Sequence, residues 1–331
     1  MARIFIEGFE SGTVDLWEEK YGTPSIQSTT KKSGTYAFSS NNSATIYMMK
    51  NISTVSTLYF KFWMYVTNPS SIGIIFATIE SGTTYQNCVC INTSRYLEVR
   101  RGNSSGTLLG TSVNQLPQNT WCLLEGKIVV ADSGGEIEIK LNGLDDLIID
   151  YTGDTQGGTT ADITKVLLGC NCASSGWGSW LIDDFVLDDA DWIGNTRIQP
   201  CLISGAGSWA SWTPSTGSNY ACVDEVPASD TDYNSINSID KIDSFATNDL
   251  TGSIALIECV QIQARVWKEG SPTPLNLALT VRVGGVDYVG SDNAVSTNAK
   301  SFFELYQSKP GGGSWATADV NGMEIGYKSK T

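Results

Sequence analysis

The chain has 331 residues, enough for one large domain or two ordinary ones, each with its own hydrophobic core. Its 21 Lys and Arg against 35 Asp and Glu give a formal charge of −14, and such an acidic chain is expected to bind no nucleic acid. The absence of histidine excludes Ser-His-Asp and Cys-His nucleophiles and histidine-ligated zinc.

The first half of the chain is predicted to consist of about ten β-strands. Clusters of Gly, Ser and Asn separate short segments rich in β-branched and aromatic residues, and no convincing amphipathic helix interrupts them. Segment 58–66 is aromatic on both faces, as a central strand would be. The predicted strands are 2–9, two weak ones within 25–49, 58–66, 72–79, 87–92, 96–100, 121–130, 135–141, 166–170 and 180–187. This pattern predicts an all-β sandwich or barrel.

The stretch Trp177–Ile198 is predicted to connect two domains. It begins as an alternating strand, in which we expect Phe185 and Leu187 or their alternates to be buried. An acidic turn follows, and the pattern restarts at Trp192, which we expect to pack at the domain interface. The predicted boundaries are therefore 1–192 for the first domain, 193–196 for a short junction and 197–331 for the second domain.

The second half is also predicted to be a β-sandwich, smaller than the first. We predict strands over 197–202, 254–267, 275–283, 301–306 and 323–327, with a loop over 208–218 and an acidic, Asn-rich run over 224–249. About 135 residues are sufficient for an independent core. No run of 18 apolar residues occurs in the chain, so we expect no membrane-spanning helix and no membrane partner.

Four of the eight cysteines form two Cys-x-Cys pairs on predicted strands, namely Cys88 with Cys90 and Cys170 with Cys172. Each pair places both thiols on one face of its strand. If the pairs faced each other, they could ligate zinc or form cross-strand disulfides. The alternative, which we favour, is that they are free thiols acting as small apolar core residues.

An aspartate cluster around the junction is a candidate calcium site. Its members are Asp183, Asp184, Asp188 and Asp189. Calcium takes six to eight oxygen ligands, which carboxylates supply well. The alternative is a solvated turn in which these side chains accept hydrogen bonds from backbone amides.

Four tryptophans flank the junction in two Trp-x-x-Trp pairs and are candidate carbohydrate-binding residues: Trp177, Trp180, Trp209 and Trp212. The apolar face of a sugar ring can pack on an exposed indole, and the surrounding Gly and Ser residues leave room for it. The alternative is that these tryptophans are core or interface anchors, which is the commoner use of this side chain.

Several segments resemble known proteins. Glu7–Glu10, Trp121–Glu125, Gly135–Gly143 and Leu181–Phe185 resemble a concanavalin-A-like (laminin-G-like) jelly-roll domain. Trp192–Ile198, Trp212–Ser215, Val223–Glu225 and Thr231–Tyr233 are similar to segments of tailed-bacteriophage virion proteins, in which a jelly roll precedes a second β domain. The resemblance implies a concanavalin-A-like jelly-roll sandwich followed by a second, smaller β-sandwich.

The resemblance also implies a role as a virion structural protein, assembled in the host cytoplasm and displayed on the head or tail. One β domain would attach to other virion proteins, in several copies per symmetric particle, and the other would be exposed. An alternative is a receptor-recognition module that binds a host surface glycan.

A second alternative is a divergent glycanase. Jelly-roll glucanases carry three acidic residues on one strand, whereas the nearest run here has Glu136 and Glu138 followed by Lys140. Retaining glycosidases need two carboxyl groups about 5–5.5 Å apart, and residues two apart on a strand are about 6.6–6.8 Å apart at the backbone. We therefore expect a non-enzymatic protein.

Overall fold

The structure is a computed structural model that describes residues 3–40, 45–67, 69, 71–143, 147–172, 180–270 and 274–331. The chain divides into two compact units, Met1–Ile198 and Gln199–Thr331. Each is described by itself below, as the first unit and the second unit.

The first unit is built from fifteen β-strands within the described residues. They are β1 (Arg3–Glu7), β2 (Glu19–Tyr21), β3 (Ser25–Gln27), β4 (Ala37–Ser39), β5 (Thr45–Val55), β6 (Thr57–Val66), β7 (Gly73–Ser81), β8 (Thr84–Ile91), β9 (Tyr96–Arg101), β10 (Thr107–Gln115), β11 (Trp121–Val129), β12 (Gly135–Leu141), β13 (Leu147–Gly153), β14 (Ile163–Cys172) and β15 (Trp180–Asp188).

These strands form two antiparallel sheets. The eight-stranded sheet has the order β13-β12-β11-β6-β15-β4-β3, with β1 also paired to β15, and the seven-stranded sheet has the order β10-β9-β8-β7-β14-β5-β2. Aromatic side chains of both sheets meet in the core, where Phe76 of β7 contacts Phe60, Phe62 and Phe185 of the other sheet. The predicted jelly-roll sandwich is confirmed.

Strand β6 occupies the centre of its sheet, between β11 and β15. Leu58, Phe60, Phe62 and Met64 alternate along it as buried residues. The intervening side chains lie on the outer face of the sheet, where Trp63 and Tyr65 are half-buried and Lys61 is buried. The strand is therefore apolar inside and aromatic outside because both of its faces are covered.

The second unit contains nine strands and one short α-helix within the described residues. They are β16 (Ile203–Ala210), β17 (Thr213–Pro214), β18 (Asn234–Ser235), β19 (Ile242–Thr247), β20 (Val260–Val266), β21 (Asn276–Val283), β22 (Val286–Ala294), β23 (Lys300–Tyr306), α1 (Thr317–Asn321) and β24 (Glu324–Lys330). A 3-10 turn spans Asn219–Cys222.

Five of these strands form one antiparallel sheet in the order β16-β19-β24-β21-β22, and β20 pairs with β23 in a second, two-stranded sheet. The two sheets share one apolar core. Leu277, Leu279 and Val281 of β21 pack there with Ile262 of β20 and with the buried Trp315. The predicted second, smaller β-sandwich is confirmed.

Three predicted elements of the second half were wrong in type or length. Residues 197–202 are not a strand, because side chains take the backbone hydrogen bonds that a ladder would use: Asn248 Oδ1 accepts from the amide of Leu202 at 2.5 Å. The predicted loop over 208–218 contains the end of β16 and β17. The long strand predicted over 254–267 is limited to β20.

Candidate functional site

The predicted calcium cluster begins at an irregularity in β15. The register between β15 and β6 shifts between Asp183 and Val186, and Asp184 has a φ of 50°. In a regular strand Asp183 and Asp184 would point to opposite faces, but this β-bulge directs both carboxylates towards Ser33. The same bulge places the Phe185 ring in the core, as predicted, against Phe5 and Trp17.

Both carboxylates accept hydrogen bonds from protein groups. Asp183 Oδ2 accepts from the amides of Lys32 at 2.8 Å and Ser33 at 3.1 Å. Asp184 accepts from Ser33 Oγ at 3.1 Å and from the amide of Ile198 at 2.9 Å. Burial, together with the neighbouring Asp184 charge, raises the pKa of Asp183 to about 7.

The other two predicted ligands lie elsewhere. Asp188 is buried and accepts from Arg3 Nη1 at 2.7 Å and from the amide of Ala190 at 2.7 Å, whereas Asp189 is exposed. In the part of the chain that the structure describes, no group of three or more acidic or Cys side chains is arranged to hold a metal ion. The four aspartates thus do not form one site, and three of them act as backbone or arginine acceptors.

Buried charged side chains hold the residues that follow the acidic turn. Glu125 Oε1 accepts from the amides of Ile193 at 2.5 Å and Gly194 at 2.6 Å. Lys61 Nζ donates to the carbonyl of Thr196 at 2.5 Å, and Asp184 accepts from Ile198, as described above. We call Lys61, Glu125 and Asp184 the linker clasp. Burial lowers the pKa of Lys61 to about 8 despite these acidic neighbours.

The predicted junction therefore folds as part of the first unit. Ile193 is buried, and Ile198 lies so close to Gly8 that a Cβ atom there would come within 2.9 Å of Ile198 Cγ2. The Trp192 ring contacts Tyr59 edge-on at 5.7 Å, and Lys140 Nζ lies 4.0 Å from its centroid. Residues 192–198 are a strap across the outer face of the eight-stranded sheet, rather than a free tether.

Cys170 lies on the opposite face of the seven-stranded sheet from Cys88 and Cys90. Cys88 and Cys90 belong to an apolar cluster with Leu167 and Met49. The sulfur atoms of the two cysteines are 3.5 Å apart, which is a non-covalent contact and not a disulfide bond. Cys170 pairs in register with Ile46, whereas Leu167 pairs with Met49. Because strand side chains alternate, Cys170 points away from Cys88 and Cys90. The side chain of Cys172 lies outside the described residues.

Two of the predicted sugar-stacking tryptophans are packing residues. Trp180 is fully buried at the start of β15. Trp212 is half-buried, packs edge-on against Tyr327 at 4.7 Å between centroids and donates its indole N–H to the carbonyl of Lys241 at 3.2 Å. Trp177 lies outside the described residues.

Trp209, near the end of β16, has the surroundings of a binding residue. Its side chain is 42% exposed. The indole N–H donates to both carboxylate oxygens of Asp287, at 3.2 and 3.1 Å. Arg282 lies over the ring, with Cζ 5.7 Å from the centroid, and donates to Asp287 Oδ1 at 2.7 Å. We call Trp209, Arg282 and Asp287 the tryptophan platform.

The backbone beneath the platform is also held by side chains. The amide of Trp209 donates to Ser244 Oγ at 3.0 Å, and Ser244 Oγ donates to Glu324 Oε2 at 2.6 Å. The other oxygen of Glu324 accepts from Ser208 Oγ at 2.6 Å. The exposed indole is therefore fixed at its backbone, at its N–H and at one face, so little rotamer freedom remains to be lost on binding.

Strand β12, which carries the acidic residues considered for catalysis, has one charged face and one buried face. Glu136, Glu138 and Lys140 alternate with the buried Ile137 and Ile139, as predicted. On the neighbouring strand Lys127 contacts Glu136 and lies 3.7 Å from Glu138. The two carboxylates are thus bridged by one ammonium group on the outer face of the sheet.

Sequence reasoning missed Arg282 and Asp287, which complete the platform. Their only local signal is the Gly284-Gly285 turn of the β21–β22 hairpin, which places Arg282 opposite Asp287 in register. Nothing in the sequence connects that hairpin with Trp209, more than 70 residues earlier.

The similarity of this chain to known proteins is weak. No protein family and no curated protein matches the sequence. Among solved structures, an alginate lyase, Aly36B, in complex with alginate trisaccharide is 11% identical and covers 47% of this chain and 82% of its own, with a TM-score of 0.37. Domain 4 of the arabinanase AbnA from Geobacillus stearothermophilus, in complex with arabinotriose, is 14% identical. It covers 57% of this chain and 82% of its own, with a TM-score of 0.36.

A further similar structure is the receptor-binding domain of a botulinum neurotoxin C/D mosaic serotype. It is 10% identical, covers 75% of this chain and 69% of its own, and has a TM-score of 0.42. Since these TM-scores are low, we infer function from the side chains of this chain. No helix among the described residues is long and apolar enough to cross a bilayer.

Proposed function

We propose that this protein binds carbohydrate without cleaving it, and that Trp209 is the stacking residue. The observation that carries the proposal is the tryptophan platform: an exposed indole whose N–H, one face and backbone are all fixed by neighbouring side chains. An indole that served only to fill a core would be covered, as Trp180 is.

The chemistry of the platform suits a sugar ring. The open part of the indole offers a flat, polarisable surface for the C–H groups on one face of a pyranose. Asp287 lies at the edge of the ring, and its carboxylate has lone pairs beyond those used by Trp209 and Arg282 to accept sugar hydroxyl protons. An aromatic surface with a few fixed polar groups at its edge is the usual composition of a small-molecule site.

The experiment is a polysaccharide and glycan panel with purified wild-type protein and the variant Trp209→Ala. We expect the wild type to bind at least one glycan, and the variant to bind it at least tenfold more weakly because the stacking surface is gone. Tyr21→Ala is the matched control, since Tyr21 is an aromatic residue of the first unit that is 40% exposed.

Two results would contradict this assignment. Absence of glycan binding by the wild type across the panel would contradict the proposed carbohydrate-binding function. Binding that survives in Trp209→Ala but is lost in Tyr21→Ala would move the site to the first unit.

We propose that the protein is not a hydrolase. Support comes from Glu136 and Glu138, which share Lys127 as an ionic partner. A retaining mechanism needs one carboxyl group that stays protonated near neutral pH and one that is ionised, with different surroundings for the two. Incubation of the wild type with any glycan that it binds should release no shorter products.

The setting that we propose is a phage particle, with the protein as a surface component on head or tail. Its support is the sequence resemblance of Trp192–Ile198 and the two-unit architecture. Several copies on one particle would convert weak binding at each Trp209 into strong attachment. Cryo-electron microscopy of a purified particle that carries the chain would test this by its position and copy number.

A further inference from the structure

We infer that the tryptophan platform selects neutral glycans and rejects those that carry carboxylates or sulfates. This inference rests on the proposed function and specifies its ligand class. It is drawn from the charges that surround Trp209, from the ion pairs of the second unit and from the open surface beside the ring.

Carboxylates and one cation lie close to Trp209. Asp287 lies at the indole N–H, and Glu324 lies beneath the adjacent Ser208. The cation that touches the ring, Arg282, is paired with Asp287 at 2.7 Å. The platform together with Glu324 therefore has two carboxylates and one guanidinium, a net charge of −1. Each carboxylate would repel an anionic sugar at about 4 Å by about 1 kcal/mol in a water-like dielectric.

The second unit has fewer basic than acidic side chains. From residue 199 onward the chain has eight Lys and Arg against fourteen Asp and Glu, a difference of −6. Five of those eight basic groups are in ion pairs within the described residues: Arg265 with Asp230, Arg282 with Asp287, Lys309 with Asp319, Lys328 with Asp240 and Lys330 with Asp292. Recognition of a uronate or sulfate normally uses an available Arg or Lys.

An apolar side chain is exposed beside Asp287 on β22. Val289 lies two residues along β22 from Asp287, so it projects from the same face of the strand, and it is 43% exposed. An exposed, uncharged side chain therefore lies beside the platform. An open surface suits the internal residues of a polysaccharide chain, which extends on both sides of the stacked sugar.

The test uses matched ligands and the whole protein. Polygalacturonate and its carboxyl-reduced derivative have the same backbone and differ in charge, and a panel of neutral and uronate-containing polysaccharides extends the comparison. Affinity is measured at low and high salt. We expect binding of neutral polymers that depends on Trp209 and changes less than twofold with salt, and several-fold weaker binding of the anionic counterparts at low salt.

A charge-addition variant provides the converse test. Val289→Lys adds a cation to an exposed position beside the platform, and Val289→Gln is its uncharged control. We expect Val289→Lys to strengthen binding of the anionic polymer several-fold at low salt, to lose that gain at high salt and to leave neutral binding unchanged. Val289→Gln should behave as wild type with both ligands.

The outcomes separate the two proposals. Preferential binding of anionic polymers by the wild type, lost in Trp209→Ala, would overturn the selectivity and retain the carbohydrate function. Equal binding of charged and reduced polymers would also overturn the selectivity. Failure to bind any polymer would overturn both.

Discussion

Glu7 is an acidic side chain in a buried position, where ionisation of its carboxyl group is unfavourable. It is buried at the end of β1, and its Oε1 accepts one hydrogen bond, from the amide of Phe9 at 2.8 Å. Burial raises the pKa of Glu7 from its ordinary value near 4.5 to about 7. The neutral form therefore predominates in the folded protein at pH values where the unfolded chain is already ionised.

The sign of the effect follows from the two pKa values. Below about pH 4.5 Glu7 is protonated in both states and contributes no pH dependence. As the pH rises towards 7, the unfolded chain loses its proton and the folded protein retains it, so the stability falls until both states are ionised. We expect Glu7→Gln, relative to wild type, to gain roughly 3 kcal/mol of unfolding free energy between pH 4.5 and pH 8.

Urea unfolding of both proteins across this pH range measures that difference. Asp189→Asn is the control, because Asp189 is an exposed carboxylate of the same unit. A constant difference between Glu7→Gln and wild type at every pH would contradict the raised pKa.

The tryptophans show what residue type and spacing can and cannot predict. Trp209 and Trp212 come from one Trp-x-x-Trp pair, and the sequence predicted the same role for both. Their roles differ because of distant partners: Asp287 and Arg282 support the exposed ring of Trp209, whereas Tyr327 covers that of Trp212. Such contacts across the sheet are not encoded in local spacing.

At the scale of elements, β15 and the strap that follows it are held together by side-chain hydrogen bonds. The bulge at Asp184 places a carboxylate where it accepts the amide of Ile198, fourteen residues later. Lys61 and Glu125 on neighbouring strands hold the intervening residues. Buried ionic groups are costly unless each has its partners, and here the backbone of the strap is a partner of all three.

Removal of one clasp residue should therefore release the strap. We expect Glu125→Ala to lower the unfolding free energy by about 2–4 kcal/mol. It leaves Lys61 with one fewer acidic neighbour, and it leaves the buried amide of Ile193 and the half-buried amide of Gly194 without this acceptor. Amide exchange at Ile193 and Gly194 should accelerate by at least tenfold, as measured by hydrogen–deuterium exchange.

Glu138→Ala is the control for that experiment. Glu138 is on the same face of the sheet but is half-buried and 3.7 Å from Lys127, so its removal should change stability by less than about 1 kcal/mol. Unaltered exchange at residues 193 and 194 in Glu125→Ala would show that the clasp does not hold the strap.

A buried face makes a strand predictable, and an exposed edge strand lacks that signal. The run over 135–141 was predicted with its observed bounds because its polar and apolar residues alternate and a tight Asn142-Gly143 turn follows. Strand β10 (TLLGTSVNQ) was missed, since it is an edge strand with mostly exposed side chains and no buried face to produce a pattern. The strand predicted over 197–202 was wrong because the side chains of Asp184 and Asn248 accept hydrogen bonds from the amides of Ile198 and Leu202.

At the scale of the whole molecule, each unit has a core built from its own residues. The core of the first unit is formed by facing aromatic rings of its two sheets, and that of the second by β21, β20 and Trp315. The all-β class of both halves could be predicted from turn-rich composition and strand patterns. The boundary could not be placed, because residues 193–198 resemble a linker in sequence, whereas the buried charges of Lys61 and Glu125 that hold them to the first unit lie far away in the chain.

Division of the chain after Ile198 should therefore yield two folded proteins. We expect fragments 1–198 and 199–331 each to unfold cooperatively, and glycan binding to remain with 199–331 at an affinity within threefold of the intact chain. Differential scanning calorimetry and the polysaccharide assay measure both. A second fragment that is unfolded on its own would contradict the independent core.

The strap also determines how the protein would respond to tension. A pull on the second unit reaches the first at Ile198, where four hydrogen bonds to buried side chains divide the load among β6, β11 and β15. A flexible linker of the same length would first extend before it transmitted any force. Here no slack chain separates Gln199 from the central strands of the eight-stranded sheet, so tension is transmitted to that sheet as soon as it is applied.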